Sequence, residues 1–199
     1  MKRINFCFII AIISAVVLSG CVSFSTSVTD QQITPQGEEA TITFFRSSYL
    51  GFLTTCLVVE ETNHDDVKLV ASLDPGEKIR NIVAPGKHVF LVEGESPDLL
   101  EVNVAPKMNY YVRVSPRLGF MQRRYKFIAL SPEKLSTKNI QNEINGCSLA
   151  EPNDRAKKYF QISKDIYKKA LQDRKNKLKS KNKYSEHIVP SSYGVQYLY

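Results

Sequence analysis

The chain has 199 residues, of which 43% are hydrophobic and 24% charged, and its formal net charge is +7. This length suits one domain with a sizeable core and extensions, and it argues against two domains. The positive charge is concentrated near the carboxyl terminus, so the chain is not a uniformly basic domain. Residues 151–199 hold twelve Lys and Arg against five Asp and Glu, which is +7, and residues 21–150 carry −2.

The amino terminus has the pattern of a secretion signal. Lys2 and Arg3 precede a mostly apolar run from Ile4 to Leu18. That run is short for a transmembrane helix, which needs about 20 apolar residues, but it fits the roughly 7–15 residues of a signal's apolar region. The tetrapeptide LSGC follows at residues 18–21 and resembles the lipobox of bacterial lipoprotein precursors, with Cys21 as the modified residue.

The lipobox resemblance implies a membrane anchor. It implies thioether attachment of a diacylglyceryl group to Cys21, cleavage before Cys21, and usually acylation of the new amino terminus. Each buried methylene contributes about 0.8 kcal/mol, so two or more acyl chains hold a protein stably on a membrane. Val22 stands where Asp tends to retain enterobacterial lipoproteins in the inner membrane, which favours the outer membrane, facing the periplasm. The alternatives are an ordinary signal peptide with an incidental cysteine, or an uncleaved amino-terminal anchor.

Eight short β-rich runs follow a Ser-, Thr- and Gln-rich tether. Val, Ile, Phe, Tyr and Thr dominate them, and Pro-Gly turns separate some of them. Their even spacing predicts a mainly β fold, a compact antiparallel β-sandwich with a C-terminal basic helix. In the seventh run, alternation places Tyr110, Val112 and Val114 in the core. The predicted strands cover residues 41–46, 55–61, 67–73, 77–83, 87–94, 99–105, 109–115 and 124–130.

Several of these strands share a pattern of an aromatic–Arg strand, a Pro-Gly turn followed by Lys and His, and a later Tyr-Tyr strand. The residues that form it are Phe45, Arg46, Pro85, Gly86, Lys87, His88, Tyr110 and Tyr111. The pattern is similar to that of a family of small bacterial lipoprotein domains, the domain of unknown function twenty-eight forty-six. The resemblance spans about residues 40–131, and Pro106 departs from it because the family often has the turn glycine there. It implies a transthyretin-like or carboxypeptidase-regulatory-like sandwich and no known activity.

Two cysteines are left in the mature domain. An oxidising envelope permits a disulfide between Cys56 and Cys147, which would close a loop of 91 residues. Two unpaired thiols are the equal alternative, because the sequence does not give the Cα separation that a disulfide needs.

Motifs of catalysis and metal binding are absent from the sequence. It contains no GxSxG or HExxH pattern, and His64, His88 and His187 stand in unrelated contexts. We therefore predict no catalytic residues, no cofactor and no metal site. The acidic residues Glu60, Glu61, Asp65 and Asp66 are interpreted as a solvated loop before a strand.

The most basic part of the predicted sandwich is residues 113–127. Its cations alternate with aromatic residues, a pattern that occurs in nucleic-acid binding, but a lipid anchor outside the cytoplasm argues against that partner. Lipid headgroups or acidic cell-wall polymers are then the available anions. A charged outer face that protects a hairpin is the simpler alternative. The candidate anion-binding patch comprises Arg113, Arg117, Arg123, Arg124 and Lys126.

Beyond the sandwich, helical spacing begins near Asn153 or Asp154. Tyr159, Phe160, Ile166, Tyr167, Ala170 and Leu171 recur at this spacing and are expected to pack on the sandwich. After Asp173 the sequence is too polar to predict burial, and it indicates a fraying helix end or a disordered tail.

Together these patterns predict a membrane-anchored envelope lipoprotein that acts as a non-enzymatic binding or assembly module. Its partners would be the membrane through Cys21, and anionic lipid, peptidoglycan or an envelope protein. The alternative is an envelope enzyme with an unrecognised active site. The predicted segments are a signal peptide (1–20), a lipidated cysteine and flexible tether (21–39), a β-sandwich (40–131), an irregular connection (132–152), an amphipathic basic helix (153–182) and an aromatic-ended tail (183–199).

Overall fold

The computed structural model describes residues 23–29, 35–50, 54–62, 66–117 and 124–196. Strands account for 45% of them and helices for 29%, so the prediction of a mainly β protein with a C-terminal helix is confirmed. Two of the predicted site residues, Cys21 and Arg123, lie outside the described residues. No helix in the described part of the chain is both long and apolar enough to cross a membrane.

Two sheets form the body of the protein. The first contains β1 (Ser25–Ser27), β2 (Ala40–Arg46), β5 (Glu77–Val83), β8 (Met108–Arg117), β9 (Arg124–Ala129), β10 (Ser148–Pro152) and β12 (Val195–Gln196). The second contains β3 (Cys56–Thr62), β4 (Asp66–Leu73), β6 (Gly86–Val92), β7 (Asp98–Val104) and β11 (Ile188–Val189). Their strand orders are β1-β10-β5-β2-β8-β12, with β9 also paired to β8, and β11-β7-β6-β3-β4.

All eight predicted strands are present, as β2 to β9, but the sheets are mixed rather than antiparallel. The pairs β2–β8, β5–β10 and β7–β11 are parallel. Parallel neighbours need a crossover connection, and here the chain between β2 and β8 passes through strands of both sheets. The alternation of apolar and polar residues within one strand does not show which distant strand will pair with it, or in which direction.

The main core lies between the two sheets. Tyr110, Val112 and Val114 are buried there, as the alternation in β8 predicts. Phe44 of the first sheet meets Phe90 of the second edge-on, with ring centroids 5.1 Å apart. This arrangement is sandwich-like.

Helices cover the outer faces of both sheets. They are α1 (Pro132–Leu135), α2 (Lys138–Asn145) and α3 (Asp154–Ser180). Ile140 and Ile144 of α2 pack with Phe45 on the first sheet. Phe160 and Tyr167 of α3 pack on the second sheet. Strand β2 is therefore covered on both faces, and all seven of its residues, including Thr41 and Thr43, are buried.

Three segments are more ordered than predicted. The tether was expected to be flexible, yet Ser25–Ser27 forms β1 against β10. The connection 132–152 was expected to be irregular, yet it forms α1, α2 and β10. The tail contributes β11 and β12 to the edges of the two sheets. These strands have two to five residues, too few to show the alternation of apolar and polar residues that identifies a strand. They form because an existing sheet edge is available for pairing.

Helix α3 begins where predicted, with the Asn153 side chain accepting a hydrogen bond from the Ala156 amide. The expectation that its polar end frays is wrong. Leu178 is buried, and Arg174 and Lys175 form ion pairs with the second sheet. A long basic side chain can cover a sheet while its charge meets a carboxylate.

Candidate binding groove

A groove of about 600 Å³ runs between α3 and one end of the sandwich. Helix α3 provides one wall, and the turn after β6 and the connection before β3 provide the other. We call this site the groove. Its lining consists of Thr54, Thr55, Leu91, Glu93, Gly94, Pro97, Tyr125, Tyr159, Ser163, Ile166, Tyr167 and Ala170.

Glu93 is the carboxylate of the groove, and the fold engages both of its oxygens. Oε1 accepts a hydrogen bond from the Leu57 amide at 3.1 Å, and Oε2 accepts one from the Tyr167 hydroxyl at 2.5 Å. Burial raises the pKa of Glu93, although these hydrogen bonds oppose the rise. Burial and the neighbouring Glu93 charge also raise the pKa of Tyr167. The pair joins α3 to the second sheet.

The opposite wall rests on a buried arginine. Arg46 points inward at the end of β2, and its guanidinium donates hydrogen bonds to the carbonyls of Thr54, Leu50 and Leu73. It also lies over the Tyr125 ring, 5.3 Å from the centroid. The Tyr125 hydroxyl is 2.9 Å from Thr54 Oγ1. Arg46 thereby fixes the connection that carries Thr54 and Thr55.

The groove is suited to binding an apolar group. Leu91, Pro97, Ile166 and Ala170 offer aliphatic surface, and the tyrosine rings add flat contact area at a low entropy cost. The hydroxyl of Thr55 bonds to Asp74, and those of Tyr125 and Tyr167 are engaged as described above. These three hydroxyls therefore hold the walls together.

The two cysteines are unpaired in the structure. The Cys56 side chain lies in the core between the sheets, and Cys147 belongs to the separate cluster under α2. Each thiol donates to a carbonyl oxygen, that of Leu73 for Cys56 and that of Glu143 for Cys147. Of the two alternatives left open by the sequence, the structure has the free thiols, because the first sheet separates them.

The structure brings part of the candidate anion-binding patch together. Arg113, Arg117, Arg124 and Lys126 project from the outer face of the β8–β9 hairpin, where Arg117 lies opposite Arg124. Glu143 pairs with Arg113 at 2.9 Å, and Glu95 with Arg124 at 3.2 Å. Two of these four charges are thus balanced internally, which weakens the patch as an anion site. The patch lies on the outer face of the first sheet, which contributes only Tyr125 to the groove.

The described histidines have structural partners. The two ring nitrogens of His88 lie 2.6 Å from Glu60 Oε1 and 2.8 Å from the Ala84 carbonyl oxygen. His187 Nδ1 lies 2.8 Å from the Leu99 carbonyl oxygen. Within the ranges that the structure describes, which leave out His64, no three His, Cys, Asp or Glu side chains group as metal ligands.

Glu60, Glu61 and Asp66, which were interpreted as part of a solvated loop, are paired, and Asp65 lies outside the described residues. Asp66 contacts Lys164 at 2.8 Å and Lys168 at 3.0 Å, and Glu61 pairs with Lys175. Hydrogen bonds from both lysines lower the pKa of Asp66. The basic helix therefore neutralises the acidic edge of the second sheet, a contact between segments about a hundred residues apart.

Sequence reasoning missed most of the groove. Glu93, Thr54 and Thr55 carry no motif, and only the fold brings them beside α3. Tyr159 and Ile166 were expected to pack on the sandwich, but they are 45% and 69% exposed. A helix on a flat sheet buries a narrow face, which here centres on Phe160, Tyr167 and Leu171. The spacing of Tyr159, Ile162 and Ile166 was the available signal for a second apolar face.

Comparison of the sequence with protein-family models gives no match, and comparison with curated proteins gives none. The resemblance to the domain of unknown function twenty-eight forty-six therefore stays a prediction.

Proposed function

We propose that this chain is a lipid-anchored protein of the bacterial cell envelope and acts as a non-enzymatic binding module. Cys21 carries the lipid, and the domain faces the periplasm from the outer membrane. The charged start, the short apolar run and the LSGC tetrapeptide support the anchor. The groove is the binding site.

The observation that carries the binding role is the combination of an open apolar groove with engaged polar groups. A catalytic acid or base must lie within hydrogen-bonding distance of a bound substrate. The Glu93 oxygens instead meet Leu57 and Tyr167 of the same chain. Tyr159 and Ile166 remain exposed at the mouth, which leaves the groove open to a partner.

A segment of an envelope protein fits the groove better than an anionic polymer. The groove lining includes one acidic residue and no Lys or Arg, so it offers no charge to a phosphate or sulfate. Its aliphatic side chains suit a Leu-like or aromatic side chain of a peptide. Peptidoglycan and lipopolysaccharide are less suited to such a surface.

Site-specific photocrosslinking in cells tests this proposal. A benzoylphenylalanine at Pro97 in the groove should give a discrete adduct with an envelope protein, whereas one at Lys126 on the opposite sheet should not. Filling the groove with Ala170→Phe should abolish the Pro97 adduct while the protein still folds. Equal adducts at both positions, or an adduct that survives Ala170→Phe, would contradict the groove as the binding site.

A further inference from the structure

Helix α3 carries three exposed apolar side chains on one side. Tyr159, Ile162 and Ile166 are 45%, 76% and 69% exposed. Their spacing of three and four residues places them on successive turns of one helix face. We call these three residues the apolar strip. Its two isoleucines are mostly uncovered by the described part of the chain, in contrast to the buried face formed by Phe160, Tyr167 and Leu171.

Basic residues flank the apolar strip. Arg155 precedes Tyr159 by four residues, Lys158 precedes Ile162 by four, and Lys169 follows Ile166 by three, so each lies one turn from a strip residue. All three are exposed and form no ion pair within the described ranges. Two acidic residues lie on that side: Asp165, which is exposed and follows Ile162 by three, and Asp173, one turn beyond Lys169. An apolar face with basic flanks is typical of helices that lie in a membrane interface.

The amino-terminal end of the described chain lies beside the apolar strip. Asn153 donates from Nδ2 to the Ser23 carbonyl at 3.1 Å and from its amide to the Phe24 carbonyl at 3.1 Å. The Phe24 ring meets the Tyr159 ring edge-on, with centroids 5.6 Å apart. The start of the described chain is therefore fixed to the first turns of α3.

Cys21 lies close in sequence to Ser23, so a lipid on Cys21 would bring the membrane close to the start of α3. Cys21 precedes Ser23 by two residues, so their Cα atoms are at most about 7 Å apart. Acyl chains on Cys21 would place the leaflet surface at the amino-terminal end of α3. The candidate anion-binding patch lies on the outer face of the first sheet.

We infer that the apolar strip docks on the leaflet that holds the Cys21 lipid. Ile162 and Ile166 enter the boundary between headgroups and acyl chains, and Arg155, Lys158 and Lys169 meet lipid phosphates. The inference rests on the proposed anchor at Cys21. Membrane is favoured over a protein as the occupant because the anchored end of the chain emerges beside the strip. The groove, which shares Tyr159 and Ile166, then opens at the membrane surface.

The absence of tryptophan from the chain allows a direct test. Full-length lipidated protein with Ile162→Trp is reconstituted in vesicles of phosphatidylethanolamine and phosphatidylglycerol whose acyl chains carry bromine. Docking predicts a blue-shifted tryptophan emission and quenching several-fold stronger than in vesicles without bromine. The matched control is Gln161→Trp, at a neighbouring exposed position on another side of α3, which should show solvent-like emission and little quenching.

Each outcome decides one claim. Mass spectrometry of the same preparation shows whether Cys21 carries lipid. Lipid on Cys21 with a solvent-like, unquenched tryptophan at 162 would overturn docking and leave the anchor intact. An unmodified Cys21 would overturn the anchor, and the inference with it. A tryptophan at 162 that is shielded only when a protein is bound in the groove would assign the apolar strip to that protein and overturn membrane docking.

Discussion

Arg46 is a completely buried cation that supports one wall of the groove. Its planar guanidinium bonds to carbonyl oxygens of three residues and lies on the Tyr125 ring. A lysine ammonium is not planar and cannot reproduce the geometry of these hydrogen bonds. The residue matches the aromatic–arginine pair of the family resemblance, and its observed contacts are structural.

Replacing Arg46 by Lys should lower the free energy of unfolding by about 2–4 kcal/mol, because buried carbonyls lose their donors. The measurement is urea unfolding, followed by circular dichroism. The control is Arg113→Lys, whose half-exposed pair with Glu143 should cost under about 1 kcal/mol. Equal losses for the two variants would contradict a special role for Arg46.

The pair of His88 and Glu60 makes stability depend on pH. The hydrogen bond that His88 donates to Glu60 raises the pKa of His88. Burial pushes the pKa of Glu60 up, but hydrogen bonds from His88 and Lys68 outweigh burial and lower it. The His88 contribution is thus complete below the unfolded pKa of about 6.5 and is lost as the pH rises through the folded pKa. The Glu60 contribution is lost as the pH falls through its lowered pKa.

His88→Gln should therefore destabilise the protein more in mild acid than in alkali. We expect a loss of about 1–2 kcal/mol near pH 6 and a smaller loss near pH 9, measured by urea unfolding at both values. A loss that grows with pH would show that His88 is neutral in the folded protein.

The two thiols should be inert in the folded protein. Burial raises the pKa of Cys56 to about 12 and that of Cys147 to about 11, so the reactive thiolate is scarce at neutral pH. Ellman's reagent should label both cysteines only after unfolding, at least about tenfold faster than in the native state. The appearance of a thiol only after reduction would reveal a disulfide and contradict the structure.

At the scale of elements, the carboxyl-terminal strands complete both sheets. Strand β11 extends the second sheet beside β7, and β12 extends the first beside β8. Val189 is buried, and the Tyr184 hydroxyl donates to Glu101 at 2.9 Å. The tail is therefore part of the fold.

Deletion of residues 184–199 should lower the free energy of unfolding by about 3 kcal/mol or more, because it exposes apolar surface and opens two sheet edges. Thermal unfolding measures the effect. Tyr184→Phe, which removes only one hydrogen bond, should cost about 1 kcal/mol. A deletion as stable as the full chain would show that the tail packs only loosely.

Local patterns predicted the long elements and missed the short ones. Strands β2 to β9 and the start of α3 have enough residues to show a period or a cap. Strands β1, β10, β11 and β12 form because a sheet edge is available, and the parallel partner of β2 depends on the whole topology. The groove was unpredictable for the same reason, since its walls come from segments far apart in the sequence.

At the scale of the whole molecule, charge explains how α3 is held. Residues 21–150 carry −2 and residues 151–199 carry +7. Ion pairs from α3 to Asp66, Glu61 and Asp98 join these two parts across the outer face of the second sheet. The described chain begins at Ser23, which is hydrogen-bonded to Asn153 at the start of the same helix. In the proposed account, the lipid, the helix and the groove therefore share one side of the protein.

The most direct test of this account is mass spectrometry of the mature amino terminus, with Cys21→Ser as the control. The account predicts a terminus at Cys21 with a diacylglyceryl mass, processing that globomycin blocks, and loss of membrane fractionation in Cys21→Ser. An unmodified terminus elsewhere, with membrane residence unchanged in Cys21→Ser, would contradict the lipid anchor.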